Sequence, residues 1–183
     1  MFARLILMLA LAPLLVLTSC ATNPAAPARL GLQLAPSALG ATIALQQHLT
    51  IERNGKTDEL DAALEVDADQ LQLVGLAFGQ RVLSLHYDGS HMTEWRHFML
   101  PAQVRSEDIL EDMQLTLWPL ESIRQALPAG WSIQDQGMQR NLYRDDVLIC
   151  TIHYSSMPRW SGTVQLENIR YHYRITIVSL AND

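Results

Sequence analysis

The chain has 183 residues, 49% of them hydrophobic, and a formal net charge of −6 at pH 7. This length fits one domain. The acidic balance argues against nucleic acid as a partner, because a protein that binds phosphate backbones is usually basic.

The N-terminus has the pattern of an export signal. Arg4 supplies a positive charge, and the apolar run from Leu5 to Leu17 is too short for a comfortable transmembrane helix. The run ends in Leu17-Thr18-Ser19-Cys20, which matches the lipobox of bacterial lipoproteins. Lipid transfer needs a thiol nucleophile, and cleavage needs small side chains beside the bond. We therefore expect residues 1–19 to be removed and Cys20 to carry lipid.

The mature chain would begin at Cys20. It is followed by Ala21 rather than Asp, which favours the outer membrane over inner-membrane retention and places the domain on the periplasmic side. Loss of Arg4 with the signal takes the formal charge from −6 to −7. Cys150 is the other cysteine, so acylation of Cys20 leaves no intrachain disulfide, and we interpret Cys150 as a small buried hydrophobe.

Residues 20–38 are rich in Pro and Ala and show no periodicity. This composition predicts a flexible tether, with the folded domain over residues 39–183.

From residue 43 onward apolar residues alternate with polar ones, which predicts β-strands. Asn54-Gly55 and Asp88-Gly89 are hairpin signals. The predicted strands of this first meander cover residues 43–52, 60–67, 70–76, 80–87 and 92–99.

The pattern changes to helical spacing between Ser106 and Leu127. Trp118-Pro119 should end a first helix and open a second short one, closed by Pro128-Ala129-Gly130. Strands then resume over residues 131–133, 138–144, 147–154 and 163–179, the last as one long strand.

These elements predict a mainly β (α+β) fold. A sheet of nine or more strands curls rather than stays flat, and one helical hairpin could cover its concave face while leaving an apolar cavity. The residues expected to line this cavity from the helices are Ile109, Met113, Leu117, Trp118 and Ile123.

Four segments resemble a known family. They are 60–67, 71–89, 109–130 and 168–175, which include Leu-Val-Gly-Leu-Ala-Phe-Gly-Gln and the Trp-Pro junction between two helices. Over about residues 40–180 the chain resembles the DUF3261 lipoproteins, which are similar to the LolB receptor and the LolA carrier.

The resemblance implies an incomplete β barrel that is anchored in the outer membrane and holds acyl chains without enzymatic activity or a cofactor. It also implies a LolA-like periplasmic carrier as partner and an acyl or aryl polyene-type chain, or a lipoprotein, as cargo. In LolB-like proteins an apolar loop between two early strands serves membrane delivery. Leu76 and Phe78 occupy that place here.

Alternative interpretations remain open at this point. Leu76 and Phe78 could fold back onto the core. The domain could be a membrane-anchored scaffold that recruits a periplasmic partner and carries no lipid. His86 would pair with His91 across a two-residue turn, near enough for a shared metal ion, although a pH-sensitive surface pair is the simpler interpretation. No hydrolase, phosphate-loop or zinc motif is present, and we expect no catalytic or metal site.

Overall fold

A computed structural model describes residues 29–181. Ten strands and two α-helices follow a single 3₁₀ turn at Pro36–Leu39. The strands of the first half are β1 (Ile43–Arg53), β2 (Lys56–Val66), β3 (Leu71–Ala77), β4 (Gln80–Tyr87) and β5 (Met92–Arg96). The helices are α1 (Ser106–Leu117) and α2 (Leu120–Ala126). The strands of the second half are β6 (Trp131–Gln136), β7 (Gln139–Arg144), β8 (Val147–Tyr154), β9 (Gly162–Asn168) and β10 (Tyr173–Ala181).

All ten strands form one antiparallel sheet in the order β5-β4-β3-β2-β1-β10-β9-β8-β7-β6. Two five-strand meanders therefore meet where β1 pairs with β10, for example at Leu49 opposite Ile177. The sheet stays open, because β5 and β6 are its two edges.

Helix α1 shows that the sheet curves. Ser106 at its start donates to Glu94 of β5, and the carbonyl of Leu115 near its end accepts from Arg140 of β7. In a flat sheet β5 and β7 would lie about 38 Å apart at about 4.8 Å per strand, whereas twelve helical residues span about 18 Å. The sheet must wrap around the helix, which confirms the predicted curved antiparallel sheet with a helical pair on its concave face.

The folded part begins before the predicted domain start. Leu30, Leu32 and Pro36 are buried, and the prediction of a tether is therefore wrong for residues 29–38. The reason is that the apolar residues of this segment have the helices to pack on. We call Arg29–Leu39 the strap. The predicted signal 1–19, Cys20 and the rest of the tether lie outside the described residues.

The predicted long strand 163–179 is also wrong, because it is two strands joined by a turn at residues 169–172. His172 adopts a positive φ of 54°, and the Asn168 side chain accepts a hydrogen bond from the backbone N–H of Tyr171 at 3.0 Å. Neither glycine nor proline marks this turn.

The turn after β4 is longer than expected. Asp88 and His91 close a four-residue turn through a backbone hydrogen bond of 3.2 Å. His86 consequently pairs with Thr93 rather than with His91, and its ring bonds to Gln70 at 3.0 Å.

Strand direction gives the sheet two distinct ends. Since every neighbour is antiparallel, odd-numbered strands run towards one end and even-numbered strands start there. The end at which the odd-numbered strands finish is called the Phe78 end, and it carries the turns 54–55, 78–79, 145–146 and 169–172. The Asp88 end carries the connections 67–70, 88–91, 137–138 and 155–161.

Candidate functional site

Two hairpin turns at the Phe78 end have the same backbone and different residues. Asn54-Gly55 has φ values of 53° and 74°, and Phe78-Gly79 has φ values of 52° and 73°. Asn is the favoured residue at such a position, whereas an L-residue with a bulky side chain is strained there by about 1–2 kcal/mol. The Phe78 side chain is also fully exposed (101%), so no packing offsets this strain. The backbone strain at Phe78 is therefore not compensated by packing, which points to a role outside the fold.

Phe78→Asn is expected to stabilise the protein by about 1 kcal/mol, because it relieves the strain and removes no buried contact. Urea unfolding of the two proteins measures the difference. The reciprocal change Asn54→Phe should destabilise by a similar amount. A loss of stability in Phe78→Asn would show that the ring packs somewhere in solution.

Leu76 behaves differently from its neighbour. It is half-buried and lies on β3 opposite Asp61, next to a bulge between Gly75 and Leu76. Among the described residues Leu76 belongs neither to the core cluster nor to the apolar residues packed against it, and the alternative in which both residues fold back onto the core fails for Phe78.

The five predicted lining residues all lie between the sheet and the helices. Leu117, Trp118 and Ile123 are buried in the core cluster, and Ile109 and Met113 are half-buried and pack against it. Met113 and Leu117 border a void together with Leu64 of the first meander and Val164 of the second. That the five residues line a cargo cavity stays a prediction.

The space that these residues surround is nearly full. A void of about 20 Å³ lies under α1 beside Met113, Leu117, Leu64, Val164 and Ile177. One water molecule needs about 10–15 Å³ of such volume, whereas small-molecule pockets are about 300–1,000 Å³. The expected open hollow is thus closed in this conformation of the described residues.

The strap and the helices hold together as one cover. The backbone N–H of Gly31 donates to Glu111 at 2.6 Å, and the Gln114 side chain forms two hydrogen bonds with the backbone of Leu34 at 2.8 and 2.9 Å. The indole N–H of Trp118 donates to the carbonyl of Ala35 at 3.1 Å. We call the strap, α1 and α2 the cover.

The C-terminal end of α1 is fixed to the sheet by a buried cation. Arg140 of β7 donates to the carbonyls of Leu115 and Trp118 at 2.6 and 2.9 Å and forms a two-pronged ion pair with Asp135. Carbonyls at a helix end attract positive charge. Asp135 also pairs with Arg159 at 2.7 Å.

The middle of α1 is fixed through a buried acidic cluster. The Tyr173 hydroxyl donates to Asp112 at 2.6 Å, and Arg29 pairs with Asp108 at 3.1 Å. Burial raises the pKa of Asp112 to about 7, and burial also raises the pKa of Glu111. One guanidinium faces three carboxyl groups here, and the second Asp112 oxygen has no hydrogen-bond partner among the described residues, which suits a protonated acid.

Other candidate chemistry finds no support in the described part of the chain. No three His, Cys, Asp or Glu side chains of residues 29–181 converge as metal ligands. Cys150 is buried, as predicted, and burial raises the pKa of its thiol well above the ordinary value. Within the same range no helix is long and apolar enough to cross a membrane.

Sequence reasoning missed Arg29, Asp112, Tyr173 and Arg140. Arg29 and Tyr173 are 144 positions apart, so no local pattern connects them. The one available signal is Asp135 opposite Arg140 in the β6–β7 hairpin, a cross-strand charge pair within a single turn.

A comparison with protein families agrees with the resemblance to DUF3261. A family model described as "Protein of unknown function (DUF3261)" matches residues 44–181. A comparison with curated proteins finds no match. Similar solved structures include a LolA superfamily protein from Nitrosomonas europaea, with 8% identity, a TM-score of 0.47, and coverage of 80% of this chain and 88% of that one. Another is a DUF1329 family protein from Desulfovibrio piger, with 11% identity, a TM-score of 0.35, and coverage of 79% and 87%.

Proposed function

Because the chain belongs to the DUF3261 family, whose description gives no activity, we propose a function from its own geometry. It is a non-enzymatic outer-membrane lipoprotein, anchored through lipid on Cys20 and facing the periplasm. It accepts an acyl or aryl polyene-type chain, or a lipoprotein, from a LolA-like carrier and passes it to the membrane. The observation that supports this most is a curved sheet whose apolar concave face is closed by a separate cover.

The proposal requires the cover to move. In the conformation described here the void of about 20 Å³ is too small for an acyl chain. Each methylene group transferred from water into an apolar space contributes about 0.8 kcal/mol. The free energy gained when a chain enters therefore offsets part of the free energy lost when the cover gives up its apolar contacts with the sheet.

Release needs a comparably apolar acceptor, which the membrane provides. Phe78 and Leu76 are the proposed delivery residues, and the exposed ring of Phe78 is suited to enter a bilayer. Phe78→Asn should therefore retain cargo binding and slow transfer to vesicles.

A titration with a fluorescent fatty-acid analogue tests cargo binding. We expect saturable binding of one molecule per protein. Met113→Ala should tighten it about fourfold for each methylene group that gains room beside the void. Met138→Ala, a matched change at an exposed methionine, should leave the affinity unchanged. Absence of saturable binding by the folded protein would contradict a carrier.

The filled interior favours a second candidate, the membrane-anchored scaffold that recruits a periplasmic protein and carries no lipid. Affinity capture of the lipidated protein from membranes separates the two. A stoichiometric protein partner without bound acyl chain supports the scaffold, and co-purified acyl or polyene chains support the carrier.

A further inference from the structure

Phe78 is one of several exposed apolar residues at its end of the sheet. The backbone N–H of His97 donates to the carbonyl of Val82 at 2.9 Å, which places the following loop beside the start of β4. Phe98 and Met99 in that loop are 90% and 51% exposed, and the Phe98 ring lies 4.4 Å from that of His97. A second apolar protrusion therefore stands at the same end as the first.

Most cations of the described residues lie at this end, beside five carboxylates in or next to its turns, namely Glu52, Asp58, Asp145, Asp146 and Glu167. The sequence has 13 Lys and Arg residues, of which Arg4 precedes the described range. Eight of the other twelve lie at or next to the Phe78 end, namely Arg29, Arg53, Lys56, Arg81, Arg96, Arg144, Arg170 and Arg174.

Several of these cations have no carboxylate partner within the described residues. Lys56, Arg81 and Arg170 form no ion pair there, and Arg81 instead stacks on the Trp95 ring at 4.3 Å. Arg174, by contrast, is shared between Glu52 and Glu167 at 3.4 and 3.3 Å. The unpaired cations are available to an outside anion.

The opposite end has few cations and several carboxylates. Its turns carry Asp67, Asp69 and Asp88, and the carboxylates of Asp67 and Asp88 accept backbone N–H groups of their own turns. Arg140 and Arg159 near this end are both held by Asp135. The Asp88 end is therefore more negative than the Phe78 end, and a negatively charged surface repels the Phe78 end less.

The chain also enters the fold at the Phe78 end. The Arg29 guanidinium lies 4.2 Å from the Tyr171 ring, in the turn 169–172. Arg29 lies nine positions after Cys20, a reach of at most about 30 Å. A lipid on Cys20 consequently keeps this end within reach of the bilayer.

We propose that the Phe78 end docks on a bilayer surface that carries anionic lipid. The apolar residues Phe78, Phe98 and Met99 enter the interface, and Lys56, Arg81 and Arg170 lie against the phosphate groups. This inference rests on the proposed function, since it names the surface that the delivery end contacts and the charge that this surface must have. The Asp88 end then points away from the membrane.

The test uses the full lipidated protein, reconstituted into vesicles of phosphatidylcholine alone or mixed with phosphatidylglycerol. Amide hydrogen exchange is followed by mass spectrometry. We expect exchange in segments 78–79 and 97–100 to slow in the anionic vesicles, while segment 88–91 is unchanged.

A charge variant and its control test the electrostatic part. Lys56→Gln, Arg81→Gln and Arg170→Gln combined should lower the ratio of docked to undocked protein about a hundredfold, about fivefold per charge. Gln72→Glu, Gln136→Glu and Gln165→Glu combined change the net charge equally at exposed positions away from the Phe78 end and should retain the protection.

Equal amide exchange of segments 78–79 and 97–100 in the two vesicle types would overturn the docking proposal. An equal loss of protection in the charge variant and its control would also overturn it. Binding of the fatty-acid analogue is measured without vesicles. A failure of docking with intact cargo binding therefore removes this inference and leaves the carrier function standing, and the reverse result removes the carrier.

Discussion

Arg140→Met should destabilise the protein by about 3–5 kcal/mol. The guanidinium is almost completely buried and holds two carbonyls of α1 as well as Asp135. Removing one partner of a buried ion pair leaves the other groups without compensation, which accounts for a loss of that size. Urea unfolding monitored by circular dichroism measures it.

Arg124→Met is the matched control. Arg124 pairs with Glu121 on the exposed surface of α2, where an ion pair contributes at most about 0.5 kcal/mol. A loss below about 1 kcal/mol in Arg140→Met would contradict the view that this residue fixes the end of the cover to the sheet.

Stability should fall as the pH rises from about 4 to about 7. The folded protein holds a proton on Asp112 up to a pKa of about 7, whereas the unfolded chain releases it near 3.8. Between these values the folded state binds more protons, so the free energy of unfolding decreases with pH. A shift of about three units corresponds to at most about 4 kcal/mol. Chemical unfolding at pH 5 and pH 8 measures the difference.

Asp112→Asn should remove most of this pH dependence, because the amide cannot titrate and still accepts the Tyr173 hydrogen bond. Tyr173→Phe should extend the dependence to higher pH. The hydrogen bond from Tyr173 lowers the pKa of Asp112 in the native protein, so its removal raises that pKa. An unchanged slope in Asp112→Asn would show that Asp112 is not the titrating group.

The strands and helices follow from local signals in the sequence. Alternating apolar residues give the strands, Asn54-Gly55 gives a turn, and Pro119 separates the helices. Turn 169–172 was missed because its positive φ falls on His172 and its hydrogen bond comes from Asn168, residues with no strong turn preference in that order. The strap was missed because a Pro- and Ala-rich composition indicates a flexible chain unless a distant surface covers it.

The candidate site could be predicted only in part. The sequence places Phe78 before a hairpin glycine but leaves open whether its ring is exposed or packs on the core, and the strain becomes evident only from the backbone angle. The closed interior depends on how the Leu117 and Trp118 side chains pack against both meanders, which no spacing reveals. The cluster of Arg29, Asp112 and Tyr173 joins three distant parts of the chain through tertiary packing.

The most direct measurement is energy transfer from Trp118 to a bound polyene. Trp118 is buried in the cover between the helices and the sheet, and the fluorescent fatty acid cis-parinaric acid accepts tryptophan emission. The protein has three further tryptophans, so the titration uses the combined variant Trp95→Phe, Trp131→Phe and Trp160→Phe, in which Trp118 is the remaining emitter. If a chain enters the space beside Trp118, titration should quench this emission saturably. Saturable binding that leaves the Trp118 emission unchanged would place the acyl chain elsewhere and contradict the carrier.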